Sequence, residues 1–360
     1  MTAKPARLSI LYLGDPAPGT TSLQRCEALR RLGHAVTFAE AFPRRMSLLQ
    51  RADNWLYRAG VDGLGHHSPA VNRGVRRAAA AGGFDLLWID KGVWITAATI
   101  EAAKAANPGM AVLGYSPDYM AARHNNSRCF IGHSRLYDGF ATTKSYAVGW
   151  QQEQGSRNVL FVGNAYDPAT HRPLRLGAAE RGRIGGPVGF IGAHEADRGR
   201  AIAFLGAHGV PVRVYGGGPW DWPDVRMPGV EIVHRAVMGE DYVRAINSFD
   251  INLCFLRAMN LDAQTTRSVE IPACGAFMLA QRTAEHRALF KEGVEAEFFG
   301  DDAELLRKCR HYLARPALRR RVAAAGRRRC LRSGYSNQAR LAWLLDRWVR
   351  AGGPGPEGRP

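Results

Sequence analysis

Val188-Gly189-Phe190-Ile191-Gly192 restates, halfway along the chain, the pattern of Ile10-Leu11-Tyr12-Leu13-Gly14 at its start: a short apolar run closed by glycine. A run of this length reads as a buried strand, and the glycine after it as a tight turn. Around the first run, strands are expected at residues 9–13, 35–39, 86–90, 111–115, 139–143 and 159–162. Around the second they are expected at 188–191, 212–215, 230–233, 251–255, 277–279 and 296–299. Amphipathic stretches such as 23–32 and 97–106 alternate with them, and Gly33 stands where a helix C-cap belongs. This alternation predicts parallel sheets with crossover helices. Because the pattern restarts once, the fold class is α/β with two Rossmann-like domains, their parallel sheets facing across a cleft.

Residues 164–187 hold Pro168, Pro173, Gly177, Gly182, Gly185 and Gly186 with little apolar periodicity, and read as a linker. The expected division is a first domain at 1–165 and a second at 187–335. A C-terminal helix at 336–350 has the option of returning to the first domain, and a Gly/Pro-rich tail at 351–360 is expected to be disordered. A length of 360 residues and a hydrophobic fraction of 46% fit two buried cores. The short apolar run at 8–13 is followed at once by Asp15 and reads as a strand, not a signal peptide. Six cysteines without a C-x-x-C pair point to reduced core thiols and a cytoplasmic setting.

The formal charge is +17, from 49 basic and 32 acidic residues. Such an excess concentrates anions near the surface. Part of it lies at Arg319–Arg321 and Arg327–Arg329, on a late helical stretch. Two readings stand for these arginines: a solvated basic face, or a peripheral contact with an anionic membrane or other polyanion.

Open parallel sheets bind ligands beyond the carboxyl ends of their strands, so the residues there are the site candidates. Gln264-Thr265-Thr266-Arg267 leads into a helix that carries Glu270 and closes at Gly275. Hydroxyls, backbone amides and a guanidinium at a helix start suit a diphosphate. A carboxylate one turn later is acceptor-only and suits the paired hydroxyls of a ribose. The same residues also read as an ordinary capped helix with a surface glutamate. Gly192 ends a strand, and Arg198, in the helix after it, is placed for a bidentate phosphate contact. A surface pair of Arg198 with Asp197 is the other reading. The triple glycine that includes Gly217 follows a further strand and leaves room to line a nucleotide, or is a plain turn.

Arg267-x-x-Glu270-x-x-Ala273-Cys274-Gly275-x-x-x-Leu279 resembles the donor-site helix of GT-B glycosyltransferases, in particular the CgeB-like (spore-maturation-type) family. Leu289-Phe290-x-x-Gly293, Asp301-x-x-Glu304-Leu305 and Tyr335-x-x-x-x-Arg340 also fit, so the resemblance spans roughly 187–345. It implies that Glu270 holds the donor ribose. Retaining enzymes of this kind often carry two glutamates eight positions apart; Asp262 stands in place of the first, which leaves the stereochemical outcome open. His234 and Arg235 are implied on the nucleobase side. In the first domain, Asp15 and Asp118 follow strands whose loops would meet the acceptor, and either is a candidate general base for its hydroxyl. Asp118 also reads as the cap of a following helix.

The chain contains no D-x-D tripeptide and no compact His/Cys cluster, so no metal site and no cofactor are expected. Fixed positive groups would then stabilise the leaving diphosphate. The resemblance therefore implies a metal-independent glycosyltransferase with a UDP-, GDP- or dTDP-sugar donor and an acidic or polar acceptor. A nucleotide-sugar epimerase of the same fold is one alternative. A basic nucleic-acid-binding protein is another, although no reading motif for DNA or RNA is present.

Overall fold

The structure is a computed structural model that describes residues 7–61, 67–217 and 228–350. The expected disordered tail, 351–360, lies outside the described residues, as do Gly218 and Pro219 of the glycine-rich loop. The chain divides into two compact units: residues 1–163 with 337–360, and residues 164–336.

The first unit runs β1 (Ser9–Gly14), α1 (Thr21–Arg31), β2 (Ala35–Glu40), α2 (Leu48–Arg58), α3 (Pro69–Ala79) and β3 (Leu86–Asp90). It continues with α4 (Ala97–Ala106), β4 (Ala111–Ser116), α5 (Arg128–His133), β5 (Gly139–Thr142), α6 (Val148–Glu153) and β6 (Val159–Phe161). Its six strands are ordered β2-β1-β3-β4-β5-β6. All pair in parallel. Strands β3 and β4 are buried along their whole length, which is why they read as continuous apolar runs rather than alternating ones.

The second unit contains α7 (Ala178–Ile184), β7 (Gly186–Ile191), α8 (Ala196–Ala207), β8 (Val212–Tyr215), β9 (Val230–Val233) and α9 (Gly239–Ser248). After these come β10 (Phe249–Cys254), α10 (Arg267–Ala273), β11 (Met278–Gln281), α11 (Ala284–Leu289), β12 (Glu297–Phe299), α12 (Asp302–Leu313) and α13 (Pro316–Arg332). Its sheet is ordered β12-β11-β10-β7-β8-β9, again all parallel. The order reverses between β7 and β10, so their carboxyl ends open the crevice in which such sheets hold ligands. Val188, Phe190, Val214, Ile251 and Leu253 fill the core on one face, against α8 and α12.

The stretch expected as a linker is folded into the second unit. The backbone of Tyr166 bridges to Ser336, Asn247 Oδ1 accepts the Leu174 amide, and 178–184 is helical. The prolines and glycines there shape a packed connection instead of a free one. The last helix, α14 (Asn337–Arg350), belongs to the first unit. Its Leu341, Leu344, Leu345 and Trp348 join Ile10, Trp88 and Leu113 in one core. Gly139 has no side chain because a Cβ there would fall 2.5 Å from the Trp348 indole nitrogen. Among the described residues no helix is long and apolar enough to cross a membrane.

Candidate donor site

Arg198 sits at the strand-order switch of the second unit. It lies in the first turn of α8 and its side chain is 2% exposed. Its Nε donates to the Leu256 carbonyl just after β10, and Nη1 to the Ala193 carbonyl just after β7. The guanidinium therefore ties the two strand ends together. The expected bidentate phosphate contact is corrected here: two of its three nitrogens are engaged by the protein. The third, Nη2, is buried with no partner. Asp197, the other partner considered, pairs with Arg200 instead. Burial pulls the Arg198 pKa down to about 10, and repulsion from Arg267 and Arg257 adds to the fall, against the opposing pull of Glu195. Arg267 has a buried Nε without a partner as well. Glu195 accepts Arg257 Nε at 2.9 Å and the Ala258 amide at 3.2 Å. Arg198 and Arg257 thus share one carboxylate, with Arg267 close enough to repel Arg198, an arrangement that an anion would relieve.

Glu270 occupies the first turn of α10, and the helix is short because Pro272 lies inside it and Gly275 leaves it at φ +72°. The carboxylate is buried but not lost in the apolar core. Tyr242 of α9 donates its hydroxyl to Oε2 at 2.6 Å. The His171 Nε2 faces Oε1 at 3.6 Å, beyond hydrogen-bond range. His171 Nδ1 accepts the Asp167 amide at 2.9 Å, which puts a ring proton on Nε2, the nitrogen that faces Glu270. Burial, and then the Glu270 charge, hold the Tyr242 hydroxyl far above its ordinary pKa, so it remains a donor.

The residues before α10 differ from expectation in one respect. The Thr265 amide donates to Ser268 Oγ at 3.0 Å and the Arg267 amide to Thr265 Oγ1 at 3.1 Å. The amides on both sides of Thr266 are therefore engaged internally, which removes them as phosphate donors in this arrangement. Ser268 is held in turn by His286 Nε2 at 2.7 Å, and His286 Nδ1 by the Gln281 carbonyl at 2.6 Å. Gln264 bridges the Asn164 amide and Glu285. Asp262 donates its amide to the Arg257 carbonyl and lies in the loop between β10 and α10.

Gly192 follows β7, and a Cβ there would come 2.7 Å from the Phe190 ring, so packing as well as access calls for glycine. Gly217 is exposed after β8. His234 and Arg235 follow β9 and are exposed; Arg235 stands 3.7 Å from Asp241. It also lines a cavity of about 170 Å³ with Tyr215, Val237, Asp241 and Arg244. Among the described residues no three His, Cys, Asp or Glu side chains converge as metal ligands do.

In the first unit the residues after β3 and β4 meet. Lys91, in the left-handed region at φ +67°, pairs with Asp118 at 2.5 Å. Asp118 does not cap α5; Ser127 does. Asp15 accepts the Ala17 amide and shapes its own turn. Asp90, the last residue of β3, is buried in the core. It takes two hydrogen bonds from Arg25 and one from the Tyr12 hydroxyl at 2.6 Å.

Three residues of the site escaped the sequence reading. His171 lies in the supposed linker, and Tyr242 is one more residue of an amphipathic helix; neither carries a local signal. Arg257, three residues beyond β10, was within reach of the rule that sites follow strand ends.

Residues 198–346 match the model of a family described as glycosyl transferase-like. Most of the chain matches solved structures in fold. Sucrose-phosphate synthase from Thermosynechococcus elongatus matches with a TM-score of 0.61 at 12% identity, over 96% of this chain and 100% of that one. Anabaena HepE in complex with UDP and glucose matches with a TM-score of 0.61 at 12% identity, over 94% and 100%. The fold is GT-B, and most of the stretch that is similar to that family lies in the second unit. α,α-Trehalose 6-phosphate synthase from Burkholderia multivorans shares this GT-B architecture, with a TM-score of 0.57 at 11% identity over 96% and 99%. No curated protein matches the chain in sequence.

Proposed function

We propose that this chain is a glycosyltransferase that moves a sugar from a nucleoside-diphosphate sugar to an acceptor, without a metal or cofactor. The observation that carries the proposal is the positive charge at the strand-order switch: the buried Arg198, its Nη2 without a partner, with the half-buried Arg267 and Arg257 near it. A leaving diphosphate would supply the missing anion, and fixed guanidiniums would stabilise the charge that develops on it. Glu270, steadied by Tyr242, receives the ribose hydroxyls on Oε1. His234, Arg235, Gly192 and Gly217 flank the nucleotide as loop residues, and Thr265, Thr266 and Asp262 shape the approach to α10. UDP is the favoured nucleotide, since the HepE structure holds UDP.

The CgeB-like subtype belongs to this proposal and rests on the run from Arg267 to Leu279. Asp118 is the first candidate for the acceptor base; its pairing with Lys91 must open for it to take a proton. Asp15 is the second. A polar or acidic acceptor agrees with the basic charge of the chain, and six free cysteines support a reducing, cytoplasmic setting.

Titration with UDP, GDP and dTDP, followed by incubation with the matching sugars, tests the proposal. One nucleotide should bind and its sugar should be released slowly to water. If none of the three bound, the donor-site reading would fail. If the sugar were instead isomerised without release, the epimerase alternative would replace transfer.

A further inference from the structure

Helix α2 is built inside out. Its inward side carries Asp53 and Tyr57, while Leu48 is 82% exposed, Leu49 80% and Trp55 68%. At a helical step of about 100° per residue, Leu48, Leu49, Ala52, Trp55, Leu56 and Ala59 share one outward arc. Arg51 and Arg58 border that arc on one side. The helix is held in this orientation by polar contacts, not by apolar packing. Tyr57 donates its hydroxyl to Asn126 Oδ1 at 2.6 Å, and Arg123 stacks over the Tyr57 ring and donates to its carbonyl. Gln50 reaches the His67 carbonyl, and a Ser47 capping box fixes the first turn. The outward face of leucines and tryptophan is thus imposed by the tertiary structure and is not an accident of a loose helix.

Charge surrounds this face in a definite sense. Residues 40–61 contain four arginines and two carboxylates. Of the carboxylates, Asp53 is buried and Glu40 is bound by Arg44. Close to the start of α2 in the chain lies a cavity of about 700 Å³ whose lining includes Phe38, Phe42 and Val71 together with Glu40, Arg44, Arg45 and Arg77. Apolar side chains with guanidiniums among them repeat, in a hollow, the mixture found on the helix face.

From this juxtaposition we propose that the first unit docks peripherally on an anionic lipid bilayer through α2. Leu48, Leu49, Trp55 and Leu56 enter the headgroup–acyl boundary and Arg45, Arg51 and Arg58 meet lipid phosphates. Leucine and tryptophan on one face with arginine alongside is the composition of helices that lie in a membrane interface. Negative lipids complete the charge, since each basic residue near such a surface adds to binding. The basic helix α13 is the less suited surface. Its Arg319 is buried against Asp250 and the Tyr312 carbonyl, and Arg329 is bound by the Leu289 carbonyl.

The test is flotation of the purified full chain with vesicles of phosphatidylcholine alone, and with about 30% phosphatidylglycerol added. The chain should float with the anionic vesicles and much less with the neutral ones. Leu48→Ser/Leu49→Ser/Trp55→Ser should lower the bound fraction at least about tenfold, with an unchanged thermal unfolding curve because the three side chains face outward. Arg51→Gln/Arg58→Gln should lower it less and flatten its salt dependence. Absence of flotation by the wild-type chain would overturn the proposal. So would wild-type flotation of the triple variant, or loss of flotation only in Arg320→Gln/Arg321→Gln/Arg328→Gln. A concentration-dependent dimer in sedimentation that the triple variant abolishes, without vesicle binding, would assign the face to a second copy of the chain instead.

Discussion

Tyr242 donates its hydroxyl to Glu270 Oε2 at 2.6 Å, and this one bond orients a buried carboxylate within the second unit. The pair joins α9 to α10, helices that flank β10, and leaves Oε1 facing the His171 ring. A carboxylate so held presents its free oxygen in one direction. A ribose hydroxyl could use it without first reorganising the side chain.

Removing that bond should weaken nucleotide binding more than it slows chemistry. A hydrogen bond to an ionised group is worth about 1.5–3 kcal/mol, so Tyr242→Phe should raise the nucleotide Kd by roughly tenfold or more. Glu270→Ala should go further and erase the preference for a ribonucleotide over its 2′-deoxy counterpart, because the oxygen that reads the hydroxyls is gone. Calorimetric titration with UDP and 2′-deoxy-UDP measures both. Full discrimination in Glu270→Ala would remove Glu270 from the ribose.

Arg198 should matter to binding and to stability together. Its buried charge repels Arg267 and leaves Nη2 unpaired in the free protein, but Nε and Nη1 hold the Leu256 and Ala193 carbonyls and Glu195 lies 3.6 Å away. Removing one member of such a buried set leaves its partners unsatisfied and costs about 3–5 kcal/mol. Arg198→Met should therefore unfold more easily than the wild type, while its affinity for a nucleoside diphosphate falls by about a hundredfold. Thermal unfolding with and without UDP separates the two. Loss of stability with unchanged affinity would make Arg198 a strand tie only.

Asp118 is tested through its partner. As the acceptor base it should give, in Asp118→Asn, a kcat lower by about 10²–10⁴-fold with an unchanged Kd for the donor. Lys91→Met leaves Asp118 in place but removes this pairing, so that variant should keep most of its activity and alter its pH profile. Transfer rates in Asp118→Asn equal to those of the wild type would pass the role to another group, with Asp15 the next to examine.

His133 gives the protein an acid-sensitive core. Burial lowers its pKa from 6.5 to about 4, and it sits on the Gly92 carbonyl amid Phe130 and Tyr137. In the unfolded chain the ring takes up a proton near 6.5, whereas in the folded chain it resists until about 4. Between these values the unfolded state binds more protons, so stability present above pH 6.5 is lost as the pH falls towards 4. The loss from this residue amounts to about 3 kcal/mol. His34 and His286, also lowered by burial, add to the same limb. Denaturant unfolding between pH 7 and pH 4.5 should show the decline, and His133→Phe should flatten part of it. A flat profile in the wild type would contradict the buried, neutral ring.

Much of this architecture is local and was therefore readable from the sequence. All twelve strands of the two sheets lie within two residues of the apolar runs that predict them. A fully buried parallel strand needs apolar side chains on both faces, and that demand is written in consecutive residues. Arg267, Glu270 and Gly275 were legible for the same reason, since a helix start, a carboxylate one turn in and a positive-φ stop occupy fixed offsets. The partners were not. His171 lies 99 positions before Glu270, and Asp90 finds Arg25 from 65 positions away.

Sequence alone determined where strands and helices form, that the chain carries two α/β units, and which side chains follow the strand ends. Tertiary structure decided which charges face a ligand and which vanish inward: Asp90 into the grip of Arg25, Glu270 onto Tyr242, and the leucines of α2 out to solvent. Periodicity records that one side of a helix differs from the other. Only packing against the rest of the chain selects the side that is covered.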